Sequence, residues 1–333
     1  MLEYYFNKPK NYSVEPVKYF NGLYTRILKL RIKRYLMKIL RTPDKHFVDL
    51  PDYPFASHYS ELKDVRMHYV DEGDANGQVI LLMHGEPSWS YLYRFMIPVL
   101  ANAGFRVIAP DLIGFGKSDK PASQSDYSYK KHVGWMTEWI QELNLQQITL
   151  FCQDWGSLIG LRVAAENKDH FARIVLGNGG LPTGDERFPR IFKLWQMFAR
   201  WSPWFPIGKI VDSGTSRKLS SEEIEAYNAP FPNKSYKKGA RVFPKLVPTS
   251  VNNPASAANR AAWEVFKTWE KPFLTLFSSR DPITRGGEKI WHAKVPGAKG
   301  QAHTIIHKAG HFLQEDKGEE IAILMIDFIN KTP

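Results

Sequence analysis

The sequence contains almost no cysteine, since Cys152 is the single one among 333 residues. An internal disulfide is therefore impossible, and a disulfide-stapled small fold or a cysteine-based metal site does not fit this chain. The hydrophobic fraction of 43% and the charged fraction of 24% are ordinary for a globular protein. A chain of this length and composition can bury a normal hydrophobic core without such staples.

Long apolar runs are also absent. No stretch reaches the length of about eighteen apolar residues that marks a membrane-spanning helix, so we expect none. The first residues, MLEYYFNKPKNYSVEP, lack the charged region and the apolar region of a secretory signal peptide. These two absences predict a cytoplasmic protein.

Excess negative charge is missing as well, and the positive charge is unevenly spread. The formal net charge is +11, and residues 1–46 contain eleven Lys or Arg against three acidic residues. Only +3 remains for the rest of the chain. The basic balance therefore belongs to the N-terminal segment, and it does not indicate a nucleic-acid partner.

Residues 1–46 form a basic extension that we predict to be helical. Within residues 17–40, apolar side chains recur at the spacing of a helix with one apolar side, and lysines and arginines lie between them. Such a helix favours either weak contact with an anionic membrane surface or packing on its own domain or a neighbour. A third interpretation is that Met37 is the biological start, because the globular pattern begins just after it.

From residue 60 onward, short apolar strands alternate with helical segments. This alternation predicts a doubly wound, mostly parallel sheet. The predicted strands are 65–70, 79–83, 106–109, 148–152, 173–176, 273–278 and 304–307, and the predicted helices are 129–143, 158–166 and 319–329.

The alternation breaks between residues 181 and 251. This stretch is rich in Trp, Phe and Pro, as in FKLWQMFARWSPWFP and YNAPFPNKSY, and predicts short helices joined by proline turns. We interpret it as a cap inserted over the sheet. The predicted organisation is an extension at 1–46, a first core part at 47–180, the helical cap at 181–251 and a second core part at 252–333.

Asp154 lies in the segment FCQDWGS, after an apolar strand and before a helix. This is the context of a nucleophile elbow, a sharp turn that presents one side chain above the sheet. A carboxylate that attacks an acyl carbon gives an anhydride, whereas one that attacks an sp³ carbon gives an alkyl ester that water can cleave. Asp154 therefore indicates an alkyl halide or an epoxide as substrate, unless it only caps the following helix.

Three further motifs each follow a predicted strand. Glu86 in HGEP lies where loops commonly supply one backbone N–H of an oxyanion hole, and the N–H of Trp155 is the second candidate donor. Asp281 and His311 follow later strands, so that the chain order is nucleophile, acid and histidine. Each residue alone could be structural, but this order after strands is that of the α/β-hydrolase fold.

From about Leu40 onward, the chain resembles the haloalkane dehalogenases, which have the α/β-hydrolase fold. The resemblance is to the branch with an Asp nucleophile, an Asp acid and two Trp halide ligands. It implies halide binding by Trp155 and by Trp195 in the cap, with Trp201 and Trp204 as nearby alternatives. The matching stretches are LRTPDKHFVDLPDYPF, HGEPSWSYLYR, DLIGFGKSDKP, QDWGS, YNAPFPNKSYKKGARVFP and AGHFLQED.

The resemblance implies a reaction in two steps. Asp154 displaces the halide and forms an alkyl ester, and His311, oriented by Asp281, then activates the water that cleaves it. The oxyanion would face the N–H groups of Glu86 and Trp155. The partners are a halogenated alkane, water and the halide ion, the organic product is a primary alcohol, and neither a metal nor an organic cofactor is required.

The alternative function is that of an epoxide hydrolase, which can share the Asp-Trp-Gly elbow. Epoxide opening needs acids that protonate an alkoxide, and the cap contains Tyr227 and Tyr236 besides its tryptophans. Glu86 favours the dehalogenase, because epoxide hydrolases usually have an aromatic residue there. A catalytically silent receptor with this fold is disfavoured, because every member of the triad is present.

Overall fold

The computed structural model describes residues 37–333, so most of the predicted basic extension lies outside the described residues. The last residues of the predicted helix at 17–40 are an exception, and there the prediction is wrong. Ile39–Leu40 form a short strand, β1, which pairs antiparallel with β6 (Lys120–Pro121). Next to this pair, Arg41 Nε donates to Asp119 Oδ1 at 2.7 Å, and both interactions hold this segment extended.

The main sheet has eight strands in the order β10-β9-β8-β7-β4-β5-β3-β2. Strands β5, β4, β7, β8, β9 and β10 pair in parallel, whereas β3 pairs antiparallel with both β2 and β5. The bounds are β2 (His58–Glu61), β3 (Arg66–Gly73), β4 (Val79–Met83), β5 (Arg106–Pro110), β7 (Ile148–Cys152), β8 (Phe171–Gly177), β9 (Phe273–Ser278) and β10 (Thr304–Ile306).

Burial explains which strands the sequence pattern identifies. All residues of β7 and β9 are buried, and their continuous apolar runs predict their bounds correctly. Strand β2 was not predicted, because only Ser60 of its four residues is buried and an apolar run is missing. The prediction of a mostly parallel sheet is confirmed, with the antiparallel strands at one edge.

Helices connect the parallel strands and cover the sheet. In the described part of the chain they are α1 (Ile97–Asn102), α2 (Tyr129–Glu142), α3 (Trp155–Glu166), α4 (Arg190–Trp201), α5 (Ile207–Ser213), α6 (Ser221–Asn228), α7 (Lys238–Leu246), α8 (Ser256–Phe266), α9 (Glu288–Lys294) and α10 (Leu313–Lys331). Helices α4 to α8 all lie between β8 and β9, in the interval where the strand alternation is interrupted.

A buried ion network connects the inserted segment, which contains helices α4 to α8 between β8 and β9, to the core. The Arg94 guanidinium, which is almost fully buried, donates to Glu315 of α10 at 2.5 Å and to Glu223 of α6 at 2.8 Å. Arg217 also donates to Glu223, at 2.6 Å. Since each charge has an opposite partner, the network avoids the high cost of an unpaired buried ion and holds α6 against the core.

Candidate active site

The nucleophile candidate lies on a strained turn between β7 and α3. Asp154 has φ +49° and ψ −127°, a conformation that costs a residue with a side chain about 1–3 kcal/mol. The turn is also crowded. A Cβ at Gly156 would lie 2.0 Å from the Met83 carbonyl oxygen, and one at Gly85 would lie 2.4 Å from the Asp154 Cβ. Glycine is therefore required at both positions for Asp154 to adopt this turn.

Both oxygens of the Asp154 carboxylate meet predicted site residues. The Glu86 N–H donates to Oδ1 at 2.7 Å, and His311 Nε2 lies 3.4 Å from Oδ2. Trp155 is the first residue of α3, where a helix leaves its N–H groups without an intrahelical acceptor. The positive end of this helix dipole also points towards the carboxylate.

Asp281 and His311 come from two different strand ends and meet beside Asp154. His311 Nδ1 lies 3.1 Å from Asp281 Oδ2. The other Asp281 oxygen accepts the Ile283 N–H at 2.9 Å, and the Thr284 hydroxyl also donates to this carboxylate. The structure thus brings the three predicted residues into one chain of contacts, from acid to histidine to nucleophile.

The two carboxylates dominate the electrostatics of His311. Burial alone would lower the pKa of its imidazole, but Asp281 on one side and Asp154 on the other raise it to about 10. Burial would likewise raise the pKa of Asp281, but His311 and the hydrogen bonds from Thr284 and the Ile283 N–H lower it to about 2. In this arrangement the imidazolium form of His311 is favoured at neutral pH.

The Glu86 side chain is itself buried, at 5% exposure, in the wall of the site. Its Oε1 has no hydrogen-bond partner among the described residues. Burial and the nearby Asp154 charge hold the pKa of this carboxyl well above its usual range. A neutral Glu86 avoids a second negative charge beside the nucleophile.

A cavity of about 1320 Å³ opens above Asp154, and its lining is largely apolar. Both predicted halide ligands contribute to it, Trp155 at its base and Trp195 from α4. The Trp155 ring is 3% exposed and is held by Tyr129 and Phe243, at centroid distances of 5.3 Å and 4.6 Å. Trp204 also lines the cavity, whereas Trp201 does not.

Sequence patterns did not identify two buried residues that position the triad. Asn178, just after β8, donates through its side-chain Nδ2 to the backbone oxygens of Gly310 and His311, each at 2.9 Å. The backbone carbonyl of Asn178 accepts the Asp154 N–H at 3.0 Å. Gln153 donates to the His311 backbone oxygen at 3.1 Å. A signal was available in both cases, since each polar residue directly follows a fully buried strand segment.

The inserted segment also holds residues 310–312, the loop that carries His311. The Gly214 carbonyl oxygen, at the end of α5, accepts the His311 N–H at 2.7 Å and the Phe312 N–H at 3.2 Å. A Cβ at Gly310 would lie 2.4 Å from this same oxygen, so the loop passes close to the inserted segment. The position of His311 therefore depends on the core and on this segment together.

Comparison with known proteins identifies the family. Residues 78–318 match the family model of the alpha/beta hydrolase fold. A haloalkane dehalogenase of Psychrobacter cryohalolentis is 57% identical over 302 residues, which cover 89% of this chain and 100% of that protein. The chain belongs to the haloalkane dehalogenases. Another member, from Mycobacterium marinum, is 54% identical over 88% of this chain and 100% of its own length.

A solved haloalkane dehalogenase has the same architecture. DpaA from Paraglaciecola agarilytica, whose structure is described as tetrameric, matches with a TM-score of 0.80 and 34% identity. The match covers 86% of this chain and 97% of DpaA. As a family member with this fold, the chain is a hydrolase that removes halogen from haloalkanes. Within residues 37–333, no helix is long and apolar enough to span a bilayer, and no cluster of three potential metal ligands occurs.

Proposed function

We propose that the dehalogenation proceeds through a covalent alkyl ester on Asp154 and gives a primary alcohol, a halide ion and a proton. The observation that carries this proposal is the position of the Asp154 carboxylate. One oxygen accepts the Glu86 N–H and the other lies beside His311, in a largely apolar cavity whose lining includes the indoles of Trp155 and Trp195. Residues 181–251 act as the cap over this site, between the core parts 47–180 and 252–333.

In the first step, Asp154 Oδ2 attacks the carbon that bears the halogen. Oδ1, which is held by the Glu86 N–H, becomes the carbonyl oxygen of the ester. The carbon–halogen bond breaks and its electron pair leaves with the halide. The indole N–H groups of Trp155 and Trp195 stabilise the halide in the largely apolar cavity, and the neutral Glu86 adds no repulsion.

In the second step, His311 takes a proton from water, which attacks the ester carbon of Asp154. The resting imidazole has a pKa of about 10, which is too high for a base at neutral pH. Ester formation removes the Asp154 charge that helps to raise this pKa. After alkylation the imidazolium releases its proton to solvent, and this is the proton that the overall reaction produces. Alkylation therefore produces the neutral base that hydrolysis needs. The oxyanion on Oδ1 meets the backbone N–H groups of Glu86 and Trp155, and Asp281 offsets the charge that develops on His311. When the oxyanion collapses, the bond between the ester carbon and the alkoxy oxygen breaks and His311 gives its proton to the departing alcohol. The Asp154 carboxyl then transfers its proton to His311, which restores the resting state.

The cavity lining favours halide departure over epoxide opening. The Tyr227 hydroxyl is buried and donates to Glu315 in the ion network, away from the cavity. Tyr236 is not among the cavity-lining residues either, and within the described part of the chain no tyrosine lines it. The lining thus presents indole N–H donors and not the phenols that would protonate an alkoxide.

The basic extension supports a second proposal, which concerns the localisation of the enzyme. We propose that the enzyme is cytoplasmic and that residues 17–40 make weak contact with an anionic membrane surface. The alternation of apolar and basic residues in this segment is the observation that supports it.

Bromide release from 1-bromobutane tests the proposed reaction. We expect turnover by the wild type and none by Asp154→Ala. His311→Phe should release about one equivalent of bromide and then stop, because the ester forms but is not hydrolysed. Intact-protein mass spectrometry should show this variant heavier by one butyl group. Asp327→Ala, which changes an exposed carboxylate on α10, is the matched control and should turn over normally.

Two results would contradict the proposal. Turnover of styrene oxide without bromide release would assign the site to epoxides. Absence of an adduct in His311→Phe, with bromide release unchanged from the wild type, would exclude the two-step route through Asp154.

A further inference from the structure

Helix α4 exposes large apolar side chains to solvent. Leu194, Met197 and Trp201 are 59%, 60% and 70% exposed, and Ile191 is 47% exposed. Their spacing of three, three and four residues places them along one side of the helix. Trp204, just beyond the helix, is 62% exposed. We call these five residues the α4 face. A cluster of large exposed apolar side chains on a protein surface is typical of an interaction site.

The segment that carries the α4 face contains cations and no acidic residue. From position 187 to position 211 the chain contains no Asp or Glu. Its five cations are all exposed, and two of them lie over exposed indoles. Arg200 is 4.7 Å from the centre of the Trp201 ring, and Lys209 is 5.9 Å from that of Trp204. The five cations are Arg187, Arg190, Lys193, Arg200 and Lys209.

The α4 face continues into the mouth of the active-site cavity. Ile191, Leu194 and Trp204 are exposed and also line that cavity. The cavity lining also includes the exposed Arg280 and Arg285. Glu186 also lines the cavity, and its carboxylate accepts the backbone N–H groups of residues 183 and 184. A surface that binds the α4 face therefore lies next to the entrance that substrates use.

We propose that the α4 face binds the surface of an anionic lipid bilayer and turns the cavity mouth towards the lipid. Tryptophans at the boundary of an apolar patch suit the headgroup region, and arginines and lysines around them pair with anionic headgroups. An apolar haloalkane concentrates in lipid, so this placement delivers substrate directly to the cavity. Binding itself does not depend on the proposed reaction.

The charge distribution favours a membrane over a second copy of the chain. A twofold dimer brings the same patch of both copies together. On the α4 face this would oppose two sets of five cations without an acidic partner from residues 187–211. Like charges in contact are costly, whereas an anionic bilayer complements them.

Co-sedimentation with lipid vesicles tests the proposal on the full chain. We expect the wild type to bind vesicles with about 30% phosphatidylglycerol in phosphatidylcholine, and to bind poorly to pure phosphatidylcholine. Raising the salt from about 0.05 M to about 0.5 M should weaken the binding. Met197→Gln with Trp201→Gln should lower the partition coefficient about tenfold or more, because two inserted apolar side chains are lost.

The matched control is Val48→Gln with Ile323→Gln, which removes two apolar side chains of 62% and 59% exposure away from α4. This variant should bind as the wild type does. Asp154→Ala should also bind normally, so that the result stands whether or not the chain dehalogenates through this residue. Met197 and Trp201 do not line the cavity, and bromide release by their double variant in free solution should be unchanged.

Three results would overturn the proposal. The first is wild-type binding by the Met197→Gln and Trp201→Gln variant. The second is a loss of binding only on replacing Lys29, Lys33 and Arg34 by Gln, which would assign the contact to the extension. The third is a wild type that ignores vesicles but self-associates in sedimentation velocity, with the double variant monomeric, which would make a second copy the occupant.

Discussion

The proposed base, His311, is kept protonated in the resting site by two carboxylates, one of them the proposed nucleophile Asp154. Asp154 Oδ2 lies 3.4 Å from its Nε2, and Asp281 Oδ2 lies 3.1 Å from its Nδ1. The pair of carboxylates raises the imidazole pKa to about 10, although burial opposes this. The high pKa therefore belongs to the resting enzyme, and in the proposed mechanism the loss of one carboxylate charge on alkylation lowers it before hydrolysis.

Asp154→Asn imitates the neutral ester and should lower the pKa of His311. With one carboxylate gone and burial unchanged, we expect the pKa to fall from about 10 towards or below 6.5. NMR titration of the ring resonances, assigned by their loss in His311→Phe, measures it. Asp327→Asn, far from the site on α10, is the control and should leave it unchanged. A His311 ring that still titrates near pH 10 in Asp154→Asn would contradict this account.

Single residues could be predicted where they follow a recognisable strand. Asp154, Asp281 and His311 each stand just after an apolar run, and the structure brings them together. Asn178 and Gln153 also follow buried strands, but their hydrogen bonds run to a loop more than 130 positions away. The apolar run marks the position of each residue but carries no information about such a distant partner, so their positioning role becomes visible only in the fold.

At the scale of one element, the rotation of α4 decides which of its tryptophans lines the cavity. Trp195 is half-buried, lines the cavity and stacks with Phe198 and Phe205 at 5.7 Å. Trp201 lies six positions later, about 240° around the helix, and is 70% exposed. Both residues stand in one aromatic-rich segment, so the sequence alone could not separate them.

Trp195→Phe should therefore weaken halide binding, whereas Trp201→Phe should not. Loss of one N–H donor to an anion costs about 1.5–3 kcal/mol, or about ten- to a hundredfold in the bromide Kd. Isothermal titration with sodium bromide measures both variants, which differ from the wild type by the same chemical change on the same helix. Equal affinities in the two variants would remove Trp195 from the halide site.

Element boundaries could be predicted only where the sequence pattern is unbroken. Strands 79–83, 148–152 and 273–278 were predicted at their observed bounds, because burial on both faces leaves one continuous apolar run. The terminal helix begins at Leu313, six residues before the predicted start. Its backbone is non-helical at Lys317, with φ −148° and ψ 34°. This kink interrupts the helical spacing of apolar residues on which the prediction depends.

For the whole molecule, the order of motifs along the chain predicts the fold, but it does not predict the surface. Strand ends carrying Asp154, Asp281 and His311 in this order already indicate the α/β-hydrolase topology. The cavity and the α4 face depend instead on how proline-linked helices pack on the sheet. Local periodicity cannot determine this, because Trp and Phe serve there as core, cavity lining and exposed surface alike.

The triad should also make stability depend on pH. Because the pKa of His311 is raised in the folded chain, its contribution to stability is fully present below pH 6.5 and is lost as the pH rises through about 10. His311→Phe lacks this contribution, so the difference in Tm between wild type and variant should shrink over that interval. Differential scanning calorimetry measures it, with the exposed His307→Phe as control, whose difference should stay level. A difference that grows with pH would mean that the carboxylates do not hold a proton on His311, and the proposed switch of this base on alkylation would fail with it.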